Sequence, residues 1–346
     1  MRLKAYFAAA ALAVASLSSA CAMGSSQGGA MERSGLAIGT VCSIRIIDGG
    51  SQRALDEAFA RLAAIEEVMS ANKDGTVVDA LNKAAGGAPV KVPADLMAVL
   101  RRSALYAELS EGAFDPTIGP LVKLWGIGSD GERVPEPAEI EAALRLIDYR
   151  GLNLDAGAGT AALARPGMRV DLGAIAKGYA ADEVARILKD RGVKAAIVDL
   201  GGNIMAVGKK PDGTPWRIGV QDPFDDRGAY IGLAQVPGGT TVVTSGIYER
   251  YFTGPSGEHY HHILDVRTGY PVESDLVSVT IIAASSMDAD GLSTAVFALG
   301  LERGMALVES RRDVEAVFID SSKRVYLSSG AKAVFRLTDE SFSIAN

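Results

Sequence analysis

The sequence predicts an α+β fold, a mixed and mostly antiparallel sheet flanked by helices. Three observations point to it. Short β-branched runs recur with Gly, Pro or Asp turns between them, as antiparallel hairpins require. Longer stretches with apolar residues at helical spacing are interspersed among them. The two kinds do not alternate in the regular rhythm of a doubly wound parallel sheet. No internal repeat and no interior linker divides the 346 residues. Length alone allows two domains, but the pattern reads as one domain behind an N-terminal leader.

The leader comes first. Arg2 and Lys4 form a short positive region, and Phe7 to Leu17 is apolar and Ala-rich. That run is too short for a comfortable membrane span. Small residues then lead to Cys21. Residues 1–20 read as an export signal of lipoprotein type, with lipidation at Cys21. Leu17 stands four residues before Cys21, where such signals usually have it at three. Ala20-Cys21-Ala22 also fits ordinary cleavage after Ala22. Residues 21–35, with a Gly- and Ser-rich stretch from Gly24 to Gly29, read as a flexible tether. The implied location is periplasmic, anchored to the inner membrane.

The domain is read over 36–337. Leu36 to Ile47 is a first strand, in which Ser43 and Arg45 alternate with Ile44 and Ile46. Ser51 to Met69 is a helix through Leu55, Phe59, Leu62, Ile65 and Met69. Asp95 to Ser110 is a second helix, and Glu139 to Leu146 a short third after a polar loop. Gly151 to Leu154 and Met168 to Leu172 carry strand signals, and a helix follows from Ile175 to Arg191. Ala195 to Leu200 is a continuous apolar run and hence a buried strand. Further strands cover Met205–Gly208, Trp216–Gln221, Tyr230–Val236, Thr240–Thr244 and Leu276–Ala284. Helices Met287–Leu299 and Leu301–Glu309 and strands Glu315–Ile319 and Val325–Leu327 close the domain. Residues 338–346 are a tail.

Composition excludes some functions. The net charge is −7, there is no basic stripe and aromatics make up 6%, which argues against a nucleic-acid role. The chain has two cysteines. With Cys21 acylated, Cys42 has no disulfide partner and reads as a small core residue of a strand.

Two stretches carry chemistry. Asp171 to Asp182 puts a Gly-containing turn before a helix whose first backbone N–H groups favour anionic oxygen. Asp288 to Thr294 puts Asp290 and Thr294 four residues apart, on one helical face. A carboxylate and a hydroxyl at that spacing are hard-oxygen ligands for a divalent cation that binds phosphate. Taken alone, each stretch is more often a turn or a capped, solvated helix face. Asp288 reads as a helix cap. His259, His261 and His262 adjoin one another, but no second Cys or His group completes a zinc site. Ser245 lies outside any G-x-S-x-G nucleophile elbow.

Other motifs accompany these two in order: Gly39-Thr40, Gly112 to Thr117, Pro120 to Gly126, Val198 to Asn203, Thr244 to Tyr251 and His261 to Pro271. The ordered set resembles the ApbE family of FAD-dependent flavin transferases over about residues 36–337. The resemblance implies the ApbE fold, with modules related to the tunnelling fold. It implies transfer of FMN from FAD through a phosphoester bond to a Thr or Ser of a partner flavoprotein, with release of AMP. Acceptors of this kind are subunits of membrane redox pumps and related exported flavoproteins. The metal positions match Asp290, Thr294 and Ala174, the last through its backbone carbonyl. Magnesium is the expected ion, and manganese accepts the same oxygen set. The position where some members carry a second Asp is Ser293. Cofactor contacts map to Ile38, Ala113, Phe114, Asp115, Asp171, Lys177 and Leu264. His262 is placed beside the cofactor, as a general base or as a loop anchor. Asp290 and His262 are the candidate catalytic residues.

Two positions depart from the family pattern. Ile38 replaces a usual Met, a volume-conserving change. Asn72 stands where transferase members have Tyr. Some members of the family it resembles have Asn there and hydrolyse FAD to FMN and AMP, so hydrolysis is a second reading. A flavin-binding lipoprotein without turnover is a third.

Overall fold

The computed structural model describes residues 30–225 and 228–345. Cys21 and the leader lie outside the described residues. Strands β1 (Met31–Ala37) and β2 (Thr40–Asp48) form a hairpin, followed by α1 (Gln52–Met69) and α2 (Val77–Lys83). Next come β3 (Val90–Lys91), α3 (Ala94–Leu109), α4 (Gly119–Trp125), α5 (Pro137–Leu144), β4 (Leu152–Asp155) and β5 (Thr160–Leu163). The middle of the chain holds α6 (Ala176–Asp190), β6 (Ala195–Leu200), β7 (Asn203–Gly208), β8 (Trp216–Gln221) and β9 (Tyr230–Val236). It continues with β10 (Thr240–Gly246), β11 (Tyr251–Thr253) and β12 (His259–His261). The last part comprises β13 (Leu276–Ala283), α7 (Ser286–Leu299), α8 (Leu301–Glu309), β14 (Val314–Asp320) and β15 (Arg324–Leu327). Helix α9 (Ala331–Val334), β16 (Phe335–Leu337) and β17 (Ser343–Ile344) complete it.

The fold is α+β. A nine-stranded sheet runs in the order β1-β2-β6-β7-β10-β13-β14-β15-β17. Its pairs are antiparallel except β15–β17, which is parallel. Helices α1, α6, α7 and α8 pack along this sheet. The small sheet β16-β9-β8 covers part of the other face. Strand β13 is therefore buried along its whole length. Val279, Ile281 and Ala283 meet the helical core, while Ile282 points into the core under β8 and β9. Alternation of side chains across a covered sheet produces this split.

Helix α1 forms where the apolar spacing predicts it. Ser51 caps it, accepting from the Ala54 N–H, and Leu55, Leu62, Ile65 and Met69 are buried. Cys42 is buried in β2, and burial pushes its thiol up to about 11. It is the inert core residue its surroundings suggest.

The structure differs from the sequence reading in several places. The first strand is the second arm of a hairpin, because the chain turns at Ile38 and Gly39 and pairs Ala37 with Thr40. Residues Met31–Gly35, expected in the tether, belong to β1. The tail contributes β17 beside β15. Met168–Leu172 is not a strand, and Arg169 alone makes an isolated bridge, to Ile118.

That last segment is held by a side chain instead of a neighbouring strand. Asn82, 5% exposed on α2, accepts from the Val170 N–H at 2.6 Å and donates to the Val170 carbonyl at 3.0 Å. The next residue, Asp171, donates its N–H to the Pro116 carbonyl at 2.9 Å. One amide thus fixes the backbone immediately before a candidate site residue. Asn82→Leu would orphan both backbone groups in a buried place, where each costs about 1–3 kcal/mol. We expect a loss of about 2–4 kcal/mol in urea unfolding. A change below about 0.5 kcal/mol would show that water or a shifted backbone replaces the amide.

Candidate functional site

Ile38, Asn72, Ala113, Phe114, Asp115, Asp171, Ala174, Lys177, His262, Leu264, Asp290 and Thr294 all line one cavity of about 1250 Å³. They come from the β1–β2 turn, the loops after α1, α3 and β12, the start of α6 and the middle of α7. The described residues hold no cluster of three His, Cys, Asp or Glu suited to a metal. A cation here would depend on neutral oxygens beside its carboxylate ligands.

The floor is the crossing of α6 and α7. Asp290, 2% exposed, accepts from the Gly178 N–H at 2.9 Å through Oδ2. Its Oδ1 accepts from Lys177 Nζ at 3.3 Å, and Lys177 also donates to the Gly173 carbonyl at 3.1 Å. The N-terminus of α6 has no side-chain cap of its own. The anion met by its first turn is therefore the protein's own carboxylate. This approach needs glycine at 178, since a Cβ there would sit 2.1 Å from the Ser286 carbonyl oxygen.

Helix α7 is held from the same side. Asp182 on α6 accepts from the Ser286 N–H at 2.8 Å and the Met287 N–H at 3.0 Å. The cap residue of α7 is Ser285, which accepts from the Asp288 N–H. Asp288 is thus not the cap: it lies in the first turn and pairs with Arg102. Ser293 is bonded to the Asp290 carbonyl at 2.8 Å and to Ser245 Oγ at 2.8 Å, so its hydroxyl is committed. Thr294, one turn beyond Asp290, lies 3.5 Å from Ser245 Oγ.

The walls carry the remaining residues. Ile38 sits at φ +47° and Gly39 at φ +71°, as a tight two-residue hairpin turn demands. A β-branched residue there is strained by about 1–3 kcal/mol. Phe114 is 5% exposed and packs edge-on to Tyr106, so it is a core residue with one side on the cavity. The Asp115 carboxylate is occupied within the fold, accepting from Thr117 N and Oγ1 at 2.7 Å and from Tyr149 N at 2.9 Å. Burial raises its pKa, and these donors oppose the rise. Asp171 accepts from the Gly173 N–H at 2.8 Å. Burial raises its pKa also, against that bond and the charges of Arg250, Arg169 and Lys177. Leu264 is buried against Leu121 and Trp125. Asn72 donates its backbone N–H to Ser70 Oγ, and it is exposed and lines the cavity.

The three histidines diverge. His261 is buried and bonded to the Val272 carbonyl, and His259 stacks on Tyr251. His262 lies with Nδ1 3.2 Å from the Arg250 carbonyl, which also accepts the His262 N–H at 3.1 Å. A carbonyl partner requires a proton on Nδ1, which leaves Nε2 as a free acceptor. Burial, then the Arg250 charge, pushes the His262 imidazole down to about 3.

Sequence reasoning missed Asn82, Gly178, Asp182 and Arg250. Gly178 and Asp182 stand inside the quoted 171–182 stretch, but their partners are more than a hundred residues away. Arg250 stands inside the Thr244–Tyr251 motif.

A neutral His262 has a testable signature. Its folded pKa lies below the unfolded value of about 6.5. The unfolded chain therefore binds more protons between those values, and stability falls as pH drops from about 6.5 towards 3. His262→Asn should make that decline shallower in unfolding measured across pH. Nitrogen-15 NMR should show a neutral His262 ring at about pH 6, and a protonated ring there would refute the assignment.

The model of the ApbE family matches residues 38–318. The FAD:protein FMN transferase of Treponema pallidum (strain Nichols) is 41% identical, over 93% of this chain and 94% of its own length. That of Klebsiella pneumoniae (strain 342) is 39% identical, over 83% of this chain and 88% of its own. The crystal structure of the ApbE protein of Thermotoga maritima superposes with a TM-score of 0.81 at 32% identity. It covers 89% of this chain and all of that one. The flavin transferase ApbE of Vibrio cholerae gives 0.79 at 31% identity, over 88% and 99%. With the fold, the ordered motifs and the cavity in agreement, this chain belongs to the ApbE family.

Proposed function

We propose that this ApbE-family transferase moves FMN from FAD to a Thr or Ser hydroxyl of a partner flavoprotein and releases AMP. The observation that carries this reading is the meeting of Asp290, Thr294 and a neutral His262 in one cavity. The hydroxyl oxygen attacks the flavin-side phosphorus. The bond from that phosphorus to the bridging oxygen breaks, and AMP leaves with the bridging oxygen. The hydroxyl proton passes to His262 Nε2, the acceptor left by the bond at Nδ1. Approach of the dianionic pyrophosphate favours the resulting imidazolium.

Asp290, Thr294 Oγ1 and the Ala174 carbonyl fit a magnesium ion, since all three donors are hard oxygens and such ions keep few protein ligands beside phosphate. Manganese accepts the same set. Bound there, the ion would supply Lewis-acid charge to the phosphates. Asp290 Oδ1 already accepts from the Lys177 ammonium, so this carboxylate is disposed towards cations. Lys177 remains as a further positive group for phosphate.

The leader motivates the proposed setting: export, lipid anchoring at Cys21 to the inner membrane, and an acceptor on the same side of it, such as a redox-pump subunit. A second reading rests on Asn72, an exposed amide residue at the cavity where a ring would exclude water; in that reading FAD hydrolysis competes with transfer.

The soluble form from Gly24 onward, with FAD, magnesium and a domain bearing a flavinylation Thr, should yield an acceptor heavier by one FMN together with AMP. Unmodified acceptor with free FMN and AMP would replace transferase by pyrophosphatase. Intact FAD throughout would remove both. Asn72→Tyr should lower any acceptor-free release of FMN by about tenfold, equivalent to about 1.4 kcal/mol in the barrier. An unchanged rate would show that Asn72 does not govern water access.

A further inference from the structure

Among the described residues three cations line the cavity: Lys73, Lys177 and Arg250. Two of them are neutralised by carboxylates. Lys73 pairs with Glu67 at 3.1 Å and Glu66 at 3.4 Å. Lys177 pairs with Asp290 at 3.3 Å. Arg250 makes no ion pair among the described residues. Its guanidinium donates through Nη2 to a neutral oxygen, the Gly39 carbonyl, at 3.0 Å. Four of its five N–H donors are left for other partners.

The surroundings suit a bound anion. The Arg250 charge reaches into the cavity, where it lowers the pKa of both Asp171 and His262. Its own carbonyl holds His262 through two hydrogen bonds, so guanidinium and imidazole flank the same space. The Gly39 contact ties the head group to the β1–β2 turn, which limits the freedom lost on binding. A planar guanidinium with paired donors is the side chain best matched to phosphate oxygens.

We propose that Arg250 is a ligand-binding residue that clamps the pyrophosphate of FAD from beside His262. This rests on the reading that FAD is the substrate, and it needs no acceptor protein. The clamp draws phosphate towards the imidazole that accepts the proton, and it adds to the positive charge that Lys177 brings to the same cavity.

The test is equilibrium binding of FAD and of riboflavin, which lacks phosphate, to the magnesium-loaded soluble protein, read by flavin fluorescence. Arg250→Gln should weaken FAD binding by about tenfold or more, with riboflavin affinity within about twofold of the starting protein. Arg250→Lys should fall between, since it keeps charge and loses the paired donors. In Arg250→Gln the weakening of FAD binding by added NaCl should also become shallower. The Arg250 carbonyl survives in both variants, so the hold on His262 is preserved. Equal losses for FAD and riboflavin would overturn the proposal and make Arg250 a prop for the turn. Unchanged FAD affinity with an unchanged salt dependence would overturn it as well. Failure of the unsubstituted protein to bind FAD would remove the functional reading and the clamp together. Tight FAD binding without transfer would remove only the transferase reading.

Discussion

The site depends on how closely α6 and α7 cross. Gly178 has no Cβ, so the Ser286 carbonyl and Asp290 can approach the α6 backbone. The Asp290 carboxylate then answers an N–H of α6, and Asp182 on α6 answers two N–H groups of α7. Each helix satisfies the N-terminal donors of the other. Partial charge at helix ends makes both contacts favourable. Ala180, Ala181 and Ala185, buried on α6, keep the packing close. The positions of Asp290, Thr294 and Lys177 all follow from this one crossing, so a small shift of either helix would disturb all three.

Elsewhere the cavity is assembled from segments with little regular structure. The β1–β2 turn, the Asp171 segment and the loop after β12 are tied together by side chain to backbone bonds. Asn82 holds Val170, Arg250 holds Gly39, and the Arg250 carbonyl holds His262. The Asn82 bonds are buried, where polar groups are expensive unless paired, while the Arg250 and His262 bonds lie at the exposed rim. The same desolvation keeps His262 neutral and raises Asp115 and Asp171, opposed by nearby donors and cations.

Much of this was readable from residues. Strands β8 and β9 and helix α8 fall where turn residues and periodicity put them, because their patterns are strong and their ends are marked. The twelve candidate residues, scattered along the sequence in separate motifs, line one cavity. Other features left no local signal. The hairpin was hidden because Ile38, the type least suited to a left-handed turn, occupies it. The Met168–Leu172 segment is extended and apolar, like a strand, yet its partner is an amide 88 residues away. Strand β17 is two residues long, too short for periodicity to show. Gly178 and Asp182 owe their roles to tertiary contacts, which a single sequence does not display.

Ile38 sets stability and ligand shape against each other. Gly or Asn would relax the turn, since both adopt positive φ with less strain. Either would also remove the branched apolar surface that Ile38 presents to the cavity and to the core beside it. A library screened for heat resistance alone would be drawn to this position, while one screened for ligand retention would guard it. The strain is tolerated because the hairpin is overdetermined, with seven paired positions from Met31–Ile46 to Ala37–Thr40. In evolutionary terms the turn is a place where the fold spends surplus pairing energy on the wall of its ligand site.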